Sequence, residues 1–306
     1  MYSPIIIFVY NRADHFEKTY KALSLCKEAR ESDLYIFSDG AKNEKSEAAV
    51  NEVRQKLSEI KTDNSFKSVN IVESEKNKGL AASVISGVTE VINKYGRAIV
   101  VEDDCQASPF LLKYMNRALD TFENDKRIGS VAGFSPEIVF PNDYKEDIFT
   151  SYRSCSWGWA TWKDRFENVD WELKDIQSFY QNREMIKKFN SSGSDRFMRL
   201  YRQTKGNGTS WSVRFGLHLV KNDMLTVYPR YSYIQNIGCD ETGVHSRAQD
   251  AEKMKVDLSK AIASPKTEFI APDKRIEKAM KKHYSGGFMS DIKRALAAEY
   301  ICHKEK

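Results

Sequence analysis

Four short apolar runs, separated by longer segments of helical periodicity, constrain the fold of this chain more than any other feature. The runs cover residues 5–10, 34–37, 69–72 and 98–101. The segments between them cover residues 16–29, 44–60 and 79–94. Strands that alternate with helices predict βαβ units and therefore a mixed, mostly parallel sheet flanked by helices. Such a sheet binds ligands at the carboxyl ends of its strands.

The pattern is less regular after residue 105. It predicts helices at residues 109–124 and 210–222, strands at 129–134 and 225–228, and partial helix over 171–201. Residues 151–166 are expected to form a loop or strand that lines the site, and residues 236–246 to form a loop. We expect a main α/β domain over residues 1–250 and a basic, mainly helical C-terminal appendage over residues 251–306.

Charge and cysteine content indicate where the chain works. The 306 residues carry a formal net charge of +5, and residues 274–306 hold nine Lys or Arg against four Asp or Glu, which equals the whole excess. The five cysteines are scattered, and no segment has the pattern of a membrane span or a signal peptide. We therefore expect a cytoplasmic protein whose basic tail suits an anionic membrane surface. A solvated tail without a partner is the alternative.

Polar side chains cluster where the predicted strands end. Asn11-Arg12 follows the first strand, Asp39 the second and Glu102-Asp103-Asp104 the fourth. Three successive carboxylates repel one another unless a cation neutralises them. Hard cations such as Mn2+ or Mg2+ favour carboxylates together with substrate phosphates. The pattern therefore predicts a divalent metal beside a bound nucleotide, and a solvated acidic turn is the alternative.

Residues near the start of the third predicted helix suit a bound diphosphate. The sequence Asn77-Lys78-Gly79-Leu80 opens that helix, and amides exposed at a helix start favour anions. Arg12 is of a type that binds phosphate, and Asp39 of a type that binds a base or ribose. Each motif is also explained as an ordinary turn or surface charge, and only their shared position at strand ends favours a pocket.

Four motifs in this order resemble glycosyltransferases of the GT-A type. They are Phe8-Val9-Tyr10-Asn11-Arg12, Ser38-Asp39-Gly40, Asn77-Lys78-Gly79-Leu80 and Val101-Glu102-Asp103-Asp104. Their order and spacing are most similar to N-acetylglucosaminyltransferase I and related bacterial family 2 enzymes of surface-polysaccharide synthesis. Three further segments extend the resemblance over residues 4–247, namely Ser156-Trp157-Gly158-Trp159-Ala160-Thr161-Trp162, Asn236-Ile237-Gly238 and Val244-His245-Ser246.

The resemblance implies a GT-A fold and a set of residue roles. Asp104 would contact the metal, and His245 would lie in a loop that closes over the diphosphate as a second metal or phosphate contact. A lone histidine also has the alternative of a structural role. The implied nucleotide-sugar contacts are Tyr10, Asn11, Arg12, Asp39, Lys78, Gly79, Glu102 and Asp103, with Arg12 and Asp39 at the base, which is usually uracil in such enzymes.

The chain departs from the family pattern at the catalytic base. Inverting relatives carry a carboxylate on the helix that begins near Trp211, where this chain has Ser212, and serine is not a comparable base. The candidate substitutes are Asp240, Glu241 and Asp195, each of which is also explained as a surface carboxylate. A retaining mechanism without that base, or an inactive protein, remains an alternative.

The aromatic segment at residues 156–162 has two interpretations. Trp157, Gly158 and Trp159 are predicted to line the sugar or acceptor pocket, because aromatic faces stack on sugars and glycine lets the backbone approach closely. The alternative is that the tryptophans belong to the core.

The basic tail shows helical spacing of two kinds of side chain. Its basic positions are Arg275, Lys278, Lys281 and Lys282, and its apolar positions are Ile292, Leu296, Tyr300 and Ile301, beside Lys293 and Arg294. This pattern is typical of an interfacial helix. Packing of the apolar stripe on the protein's own body is the alternative.

These features together predict a metal-dependent glycosyltransferase that moves a hexosyl or N-acetylhexosaminyl group from a nucleotide-sugar, with UDP the expected nucleotide. The expected acceptor is a glycan or a lipid-linked molecule at the inner face of the cell membrane. A noncatalytic nucleotide- or glycan-binding protein and a nucleotidyltransferase are the alternatives. A dehydrogenase is disfavoured because no G-x-G-x-x-G motif follows the first strand. Nucleic-acid binding is disfavoured because the basic residues do not extend onto the main domain.

Overall fold

The computed structural model describes residues 2–240 and 254–305. Its strands, in chain order, are β1 (Ile5–Val9), β2 (Asp33–Ser38), β3 (Ser68–Glu73), β4 (Arg97–Glu102), β5 (Cys105–Ala107), β6 (Ile128–Ala132), β7 (Ile148–Ser151), β8 (Trp159–Trp162), β9 (Leu225–Pro229) and β10 (Ile234–Asn236). The main sheet has the order β3-β2-β1-β4-β8-β6-β9-β7, in which only β8 and β7 run against the other strands. The prediction of a mixed, mostly parallel sheet is confirmed.

Helices flank this sheet. They are α1 (Ala13–Ser24), α2 (Glu44–Ile60), α3 (Leu80–Tyr95), α4 (Leu111–Phe122), α5 (Lys163–Phe166), α6 (Ile176–Gln181), α7 (Arg183–Phe189), α8 (Asp195–Thr204), α9 (Trp211–Lys221), α10 (Lys274–His283) and α11 (Phe288–Lys304), with 3-10 turns at Lys27–Glu31 and Leu258–Lys260. The predicted helix at residues 44–60 matches α2. It starts there because Asn43 and Ser46 form a reciprocal capping box.

The sheet is buried on both faces. Along β1, Ile5, Ile7 and Val9 belong to one apolar cluster, which includes side chains of α1, α2 and α4. Ile6 and Phe8 belong to a second cluster, which includes side chains of α3 and α9. Successive strand residues point to opposite faces. A continuous apolar run such as β1 is therefore what a strand covered on both sides requires.

The C-terminal residues pack against the body of the protein. Ile276 and Met280 of α10 are buried in the first cluster, and Ala298, Ile301 and Cys302 of α11 are buried in a third cluster formed with α6 to α9. The predicted outward stripe is therefore wrong at Ile301, which faces the body. Within the described residues, no helix is both long and apolar enough to cross a membrane.

Two features of the sheet differ from the sequence prediction. Residues 159–162, expected in a loop or strand lining the site, form the antiparallel strand β8 between β4 and β6. The strands β5 and β10 pair with each other in a separate two-stranded sheet. Each has three residues, which is too few to show a periodic pattern.

Candidate active site at the carboxyl ends of the strands

The register of the parallel strands brings the predicted polar residues to one edge. Phe8 of β1 lies opposite Glu102 of β4, and Val9 lies opposite Ser38 of β2. The residues that follow these strand ends, Arg12, Asp39 and the pair after Glu102, therefore leave the sheet side by side. The convergence inferred from the alternating pattern is present in the structure.

Arg12 neutralises part of the acidic triplet. Its Nη2 donates to Oδ1 of Asp103 and, at 2.8 Å, to Oδ2 of Asp104. The side chains of Arg12, Asp103 and Asp104 are 19%, 8% and 10% exposed, respectively, so these ion pairs are largely shielded from water. Arg12 was predicted to contact the nucleotide, and a metal ion was predicted to neutralise the carboxylates. The structure shows that the guanidinium itself supplies one compensating positive charge.

Negative charge nevertheless remains in excess, because one guanidinium faces three carboxylates. Burial and the Asp104 carboxylate raise the pKa of Asp103 to about 6, against the lowering effect of Arg12 and, more weakly, of His15. Burial and the two neighbouring carboxylates raise the pKa of Glu102 well above its ordinary value. The edge of the sheet is thus an electronegative crevice that favours a cation.

The strand β10 completes the surroundings of Asp104. Asn236 Nδ2 donates to Asp104 Oδ1 at 2.9 Å, and the backbone N of Ile237 donates to the Asp104 carbonyl at 2.8 Å. A Cβ on Gly238 would lie 2.2 Å from Asp104 Oδ2, so only glycine permits this approach. Asn236 was not among the predicted site residues. Its place in the Asn236-Ile237-Gly238 motif was the available signal.

Asp39 organises the loop before α3. Its two carboxylate oxygens accept from the backbone N of Gly40, Lys78 and Gly79 at 2.9 to 3.0 Å and from Asn77 Nδ2 at 3.2 Å. Four donors occupy the acceptor positions that a nucleotide base would need. The carboxylate therefore positions the loop, with Gly79 at a φ of 77°, and its contact with a nucleotide stays a prediction.

Tyr10, Asn11 and Lys78 are the remaining predicted nucleotide contacts. Tyr10 follows β1, and its hydroxyl accepts from the backbone N of Lys42 at 3.2 Å. Asn11 and Lys78 are both exposed. The structure therefore leaves Asn11 and Lys78 reachable from solvent, while their assignment to a nucleotide-sugar remains untested.

Of the three candidate bases, Asp240 lies beside the crevice. Its Oδ2 is 3.0 Å from Nε2 of His15, a residue of α1 that also acts electrostatically on Asp103. His15 was not among the predicted site residues, because a single histidine on a helix carries no local signal. Glu241, like the predicted metal contact His245, lies outside the described residues.

Asp195 is a structural partner and not a base, which corrects the prediction. Its carboxylate pairs with Arg153 at 3.1 Å, and the Arg153 guanidinium in turn lies 3.6 Å from the ring centre of Tyr284. Burial acts to raise the pKa of Asp195, but Arg153 dominates with the help of neighbouring arginines and lowers it to about 2. A general base near neutral pH requires the opposite shift.

Trp159 also departs from its predicted role. It is 0% exposed and stacks on Trp211 with ring centres 4.9 Å apart, so the prediction that it lines a pocket is wrong. Its position in β8, covered by α3 and α9, explains the burial. Trp157 is partly exposed. A Cβ on Gly158 would lie 2.7 Å from Ile234, two residues before Asn236 along β10.

The start of α9 carries hydroxyl groups at the position where the motif resemblance would place a carboxylate base. Ser212 Oγ lies 3.1 Å from Ser210 Oγ, and its carbonyl accepts from Ser154 Oγ at 3.2 Å. These groups are neutral and cannot replace a carboxylate at neutral pH. The departure seen in the sequence is therefore also a departure in the local chemistry.

The donor set suits a divalent ion only in combination with a ligand. Within residues 2–240 and 254–305, no three His, Cys, Asp or Glu side chains form a group that could hold a metal ion. Mg2+ is commonly bound through one or two carboxylates plus substrate phosphates, without a cage made entirely of protein groups. Asp104 beside Asp103 fits that arrangement, with Arg12 as the competing cation.

Comparison with known proteins yields weak structural likenesses only. No protein-family profile matches the chain, and no curated protein matches it. The solved structures that resemble it include the mannosyltransferase PcManGT from Pyrobaculum calidifontis in complex with GDP-Man and Mn2+, at 14% identity and a TM-score of 0.37, over 56% of this chain and 48% of that one. The chain thus spans about half the length of that enzyme.

Two further solved structures resemble the chain with similarly low identities and TM-scores. TarS 1–349 of S. aureus in complex with UDP-GlcNAc gives 11% identity and a TM-score of 0.42, over 76% of this chain and 58% of that one. A UDP-glucose pyrophosphorylase complexed with UDP-glucose gives 11% identity and a TM-score of 0.43, over 78% and 94%. At these scores the likenesses carry no argument about activity.

Proposed function

We propose that this protein is a metal-dependent glycosyltransferase that uses a nucleotide-sugar, preferably a UDP-sugar, as donor. The observation that carries the proposal is the electronegative crevice at the carboxyl ends of the parallel strands, where three successive carboxylates face one guanidinium. Asp103 and Asp104 would hold a divalent cation, and that ion would offset part of the negative charge of the carboxylates and of the donor's diphosphate. The motif resemblance to GT-A enzymes supports the same conclusion.

Asp104 is the proposed direct ligand of Mn2+ or Mg2+, with Asp103 beside it. The bound ion would supply Lewis-acid stabilisation of the departing diphosphate. The hydrogen bonds from Arg12 and Asn236 hold the Asp104 carboxylate in one orientation before any ligand arrives. Such preorganisation lowers the cost of forming the complex.

Asp240 is the proposed base that accepts the proton of the acceptor hydroxyl. Its carboxylate lies beside the crevice and is oriented by His15 at 3.0 Å. Asp195 is engaged by Arg153, and Ser212 lacks a suitable group, so neither competes for this role. The proposed acceptor is a glycan or lipid-linked hydroxyl compound of surface-polysaccharide synthesis, a choice that rests on the motif resemblance alone.

The test is a calorimetric titration of UDP into the protein with and without Mn2+, followed by an assay of UDP-sugar turnover. Asp104→Asn keeps the shape of the carboxylate and should lower the Mn2+-dependent UDP affinity by at least about tenfold, or about 1.4 kcal/mol. Asp120→Asn removes a carboxylate that pairs with Arg97 at the amino end of β4, opposite the candidate site, and it should leave the affinity unchanged.

The products distinguish the proposed function from the alternatives. Release of UDP from the UDP-sugar supports a glycosyltransferase, whereas formation of UTP and a sugar 1-phosphate from the UDP-sugar and added inorganic pyrophosphate would identify a nucleotidyltransferase. Tight UDP binding without turnover of any UDP- or GDP-sugar would identify a binding protein. Unchanged Mn2+-dependent affinity in Asp104→Asn would rule out the assigned ligand.

A further inference from the structure

The outer face of α11 carries an apolar surface that nothing in the described chain covers. Five large apolar side chains on this helix are between 38% and 79% exposed: Phe288, Met289, Ile292, Leu296 and Tyr300. They make up half of the exposed large hydrophobic residues in the described parts of the chain. We call this set the α11 stripe. Exposed apolar side chains gathered in one place mark an interaction surface.

The geometry of the helix explains the stripe. Phe288, Ile292, Leu296 and Tyr300 recur every four residues, and at about 100° per residue they cover an arc of about 120°. The side chains that anchor α11 on the body, Ala298, Ile301 and Cys302, lie on the opposite side of the helix. One face of α11 is therefore fixed to the protein while the other presents apolar groups outward.

The charged side chains around the α11 stripe are also divided between the body of the protein and solvent. Acidic side chains of the tail face inward: Glu277 accepts from two serine hydroxyls, Asp291 from Ser194 and Ser285, and Glu305 pairs with Lys205. Six exposed lysines of the tail form no ion pair within the described residues. They are Lys274, Lys278, Lys281, Lys282, Lys293 and Lys304. Glu299 is exposed as well, and the six lysines outweigh it.

Not every basic residue of the tail is available. Arg275 is bound to Asp273 and Asp143, and Arg294 contacts Asp291 and Ser194. The prediction of a basic face is therefore wrong for Arg275 and Arg294, and the unpaired basic side chains of this face are lysines. On α10, Lys274, Lys278 and Lys281 lie opposite the buried Ile276 and Met280, which directs their ammonium groups away from the body.

From these observations we infer that α10 and α11 together form a docking surface for an anionic lipid membrane. The combination of an apolar stripe with unpaired lysines is what an interfacial helix needs, because the apolar groups enter the boundary of the acyl chains while the ammonium groups meet anionic headgroups. A second copy of the same chain would bring the lysines of both copies together, so the charge disfavours that occupant.

The experiment is co-sedimentation of the full chain with phosphatidylcholine vesicles that contain phosphatidylserine, and with pure phosphatidylcholine vesicles. Leu296→Glu should lower the partition coefficient on the anionic vesicles by at least about tenfold. Leu25→Glu is the matched control, since Leu25 is 71% exposed and lies outside the stripe; it should bind as the wild type does. High salt should release the wild type.

Three results would overturn the inference. The first is the absence of binding to anionic vesicles at low salt, and the second is equal loss of binding in Leu296→Glu and Leu25→Glu. The third is a dimer in sedimentation velocity that Leu296→Glu dissociates, which would assign the α11 stripe to a second copy. Both substitutions are at exposed positions, so thermal unfolding should confirm that neither variant is misfolded.

Discussion

Replacing Arg12 by methionine removes the resident positive charge of the candidate site while keeping a side chain of similar reach. The substitution leaves Asp103 and Asp104, both largely buried, without their cation. At an N–O distance of 2.8 Å and an effective dielectric constant of about 20, one pair of unit charges attracts by about 6 kcal/mol. Desolvation offsets much of this attraction in the wild type. Loss of one partner of a buried pair typically costs about 3–5 kcal/mol, and we expect a loss of stability of that size at neutral pH.

The assay is urea-induced unfolding of the wild type and Arg12→Met without nucleotide, each with and without Mn2+. A divalent cation can take the place of the missing guanidinium on the carboxylates. Mn2+ should therefore raise the unfolding midpoint of Arg12→Met more than that of the wild type. Arg275→Met is the matched control, because Arg275 also contacts two carboxylates but on the exposed surface. It should be destabilised far less, and Mn2+ should not act on it selectively.

These measurements test separately whether the ion pair stabilises the fold and whether the metal binds the same carboxylates. If Arg12→Met is no less stable than Arg275→Met, the ion pair does not stabilise the fold as the geometry implies. If Mn2+ raises the unfolding midpoints of the wild type and of Arg12→Met equally, the guanidinium and the metal do not share the same carboxylates. The proposed ligand role of Asp104 then loses its main support.

Three further predictions concern residues whose roles the structure changed. Asp195→Asn should lower stability at pH 7 by at least about 2 kcal/mol in urea unfolding, because it leaves Arg153 buried without its partner. Since the folded pKa of Asp195 is lowered to about 2, the wild type should lose this contribution as pH falls from about 4 towards 2, and the variant should not show that loss. Trp159→Ala should cost about 3–5 kcal/mol by leaving a cavity, and a near-neutral value would contradict its burial. Gly238→Ala should displace Asp104, because an added Cβ would lie 2.2 Å from Asp104 Oδ2 and 2.7 Å from Arg12 Nη1; it should weaken Mn2+-dependent UDP binding in calorimetry and lower the thermal midpoint, and unchanged binding would show that the loop yields.

The local pattern of the sequence was sufficient for the parallel strands β1 to β4 and for the location of the candidate site at their carboxyl ends. The continuous apolar run of β1 and the helical spacing of α2 are local properties, and they survive in the structure because β1 is covered on both faces and α2 buries one side. The polar residues that follow β1, β2 and β4 had to meet, because parallel strands end at the same edge of a sheet. The acidic triplet was therefore placed correctly before any tertiary contact was known.

Only the tertiary structure decided which partner each of these groups has. Arg12 and Asp104 are 92 residues apart, Asn236 and Asp104 are 132 apart, and β5 and β10 are too short for a pattern to pair them. Trp159 is buried because β8 lies between β4 and β6 in the sheet. The aromatic residues of segment 156–162 were equally consistent with a sugar-binding pocket. Hydrogen bonds and ion pairs between distant segments form only where the chain topology brings those segments together. The periodicity of a single segment carries no information about which other segment it will contact.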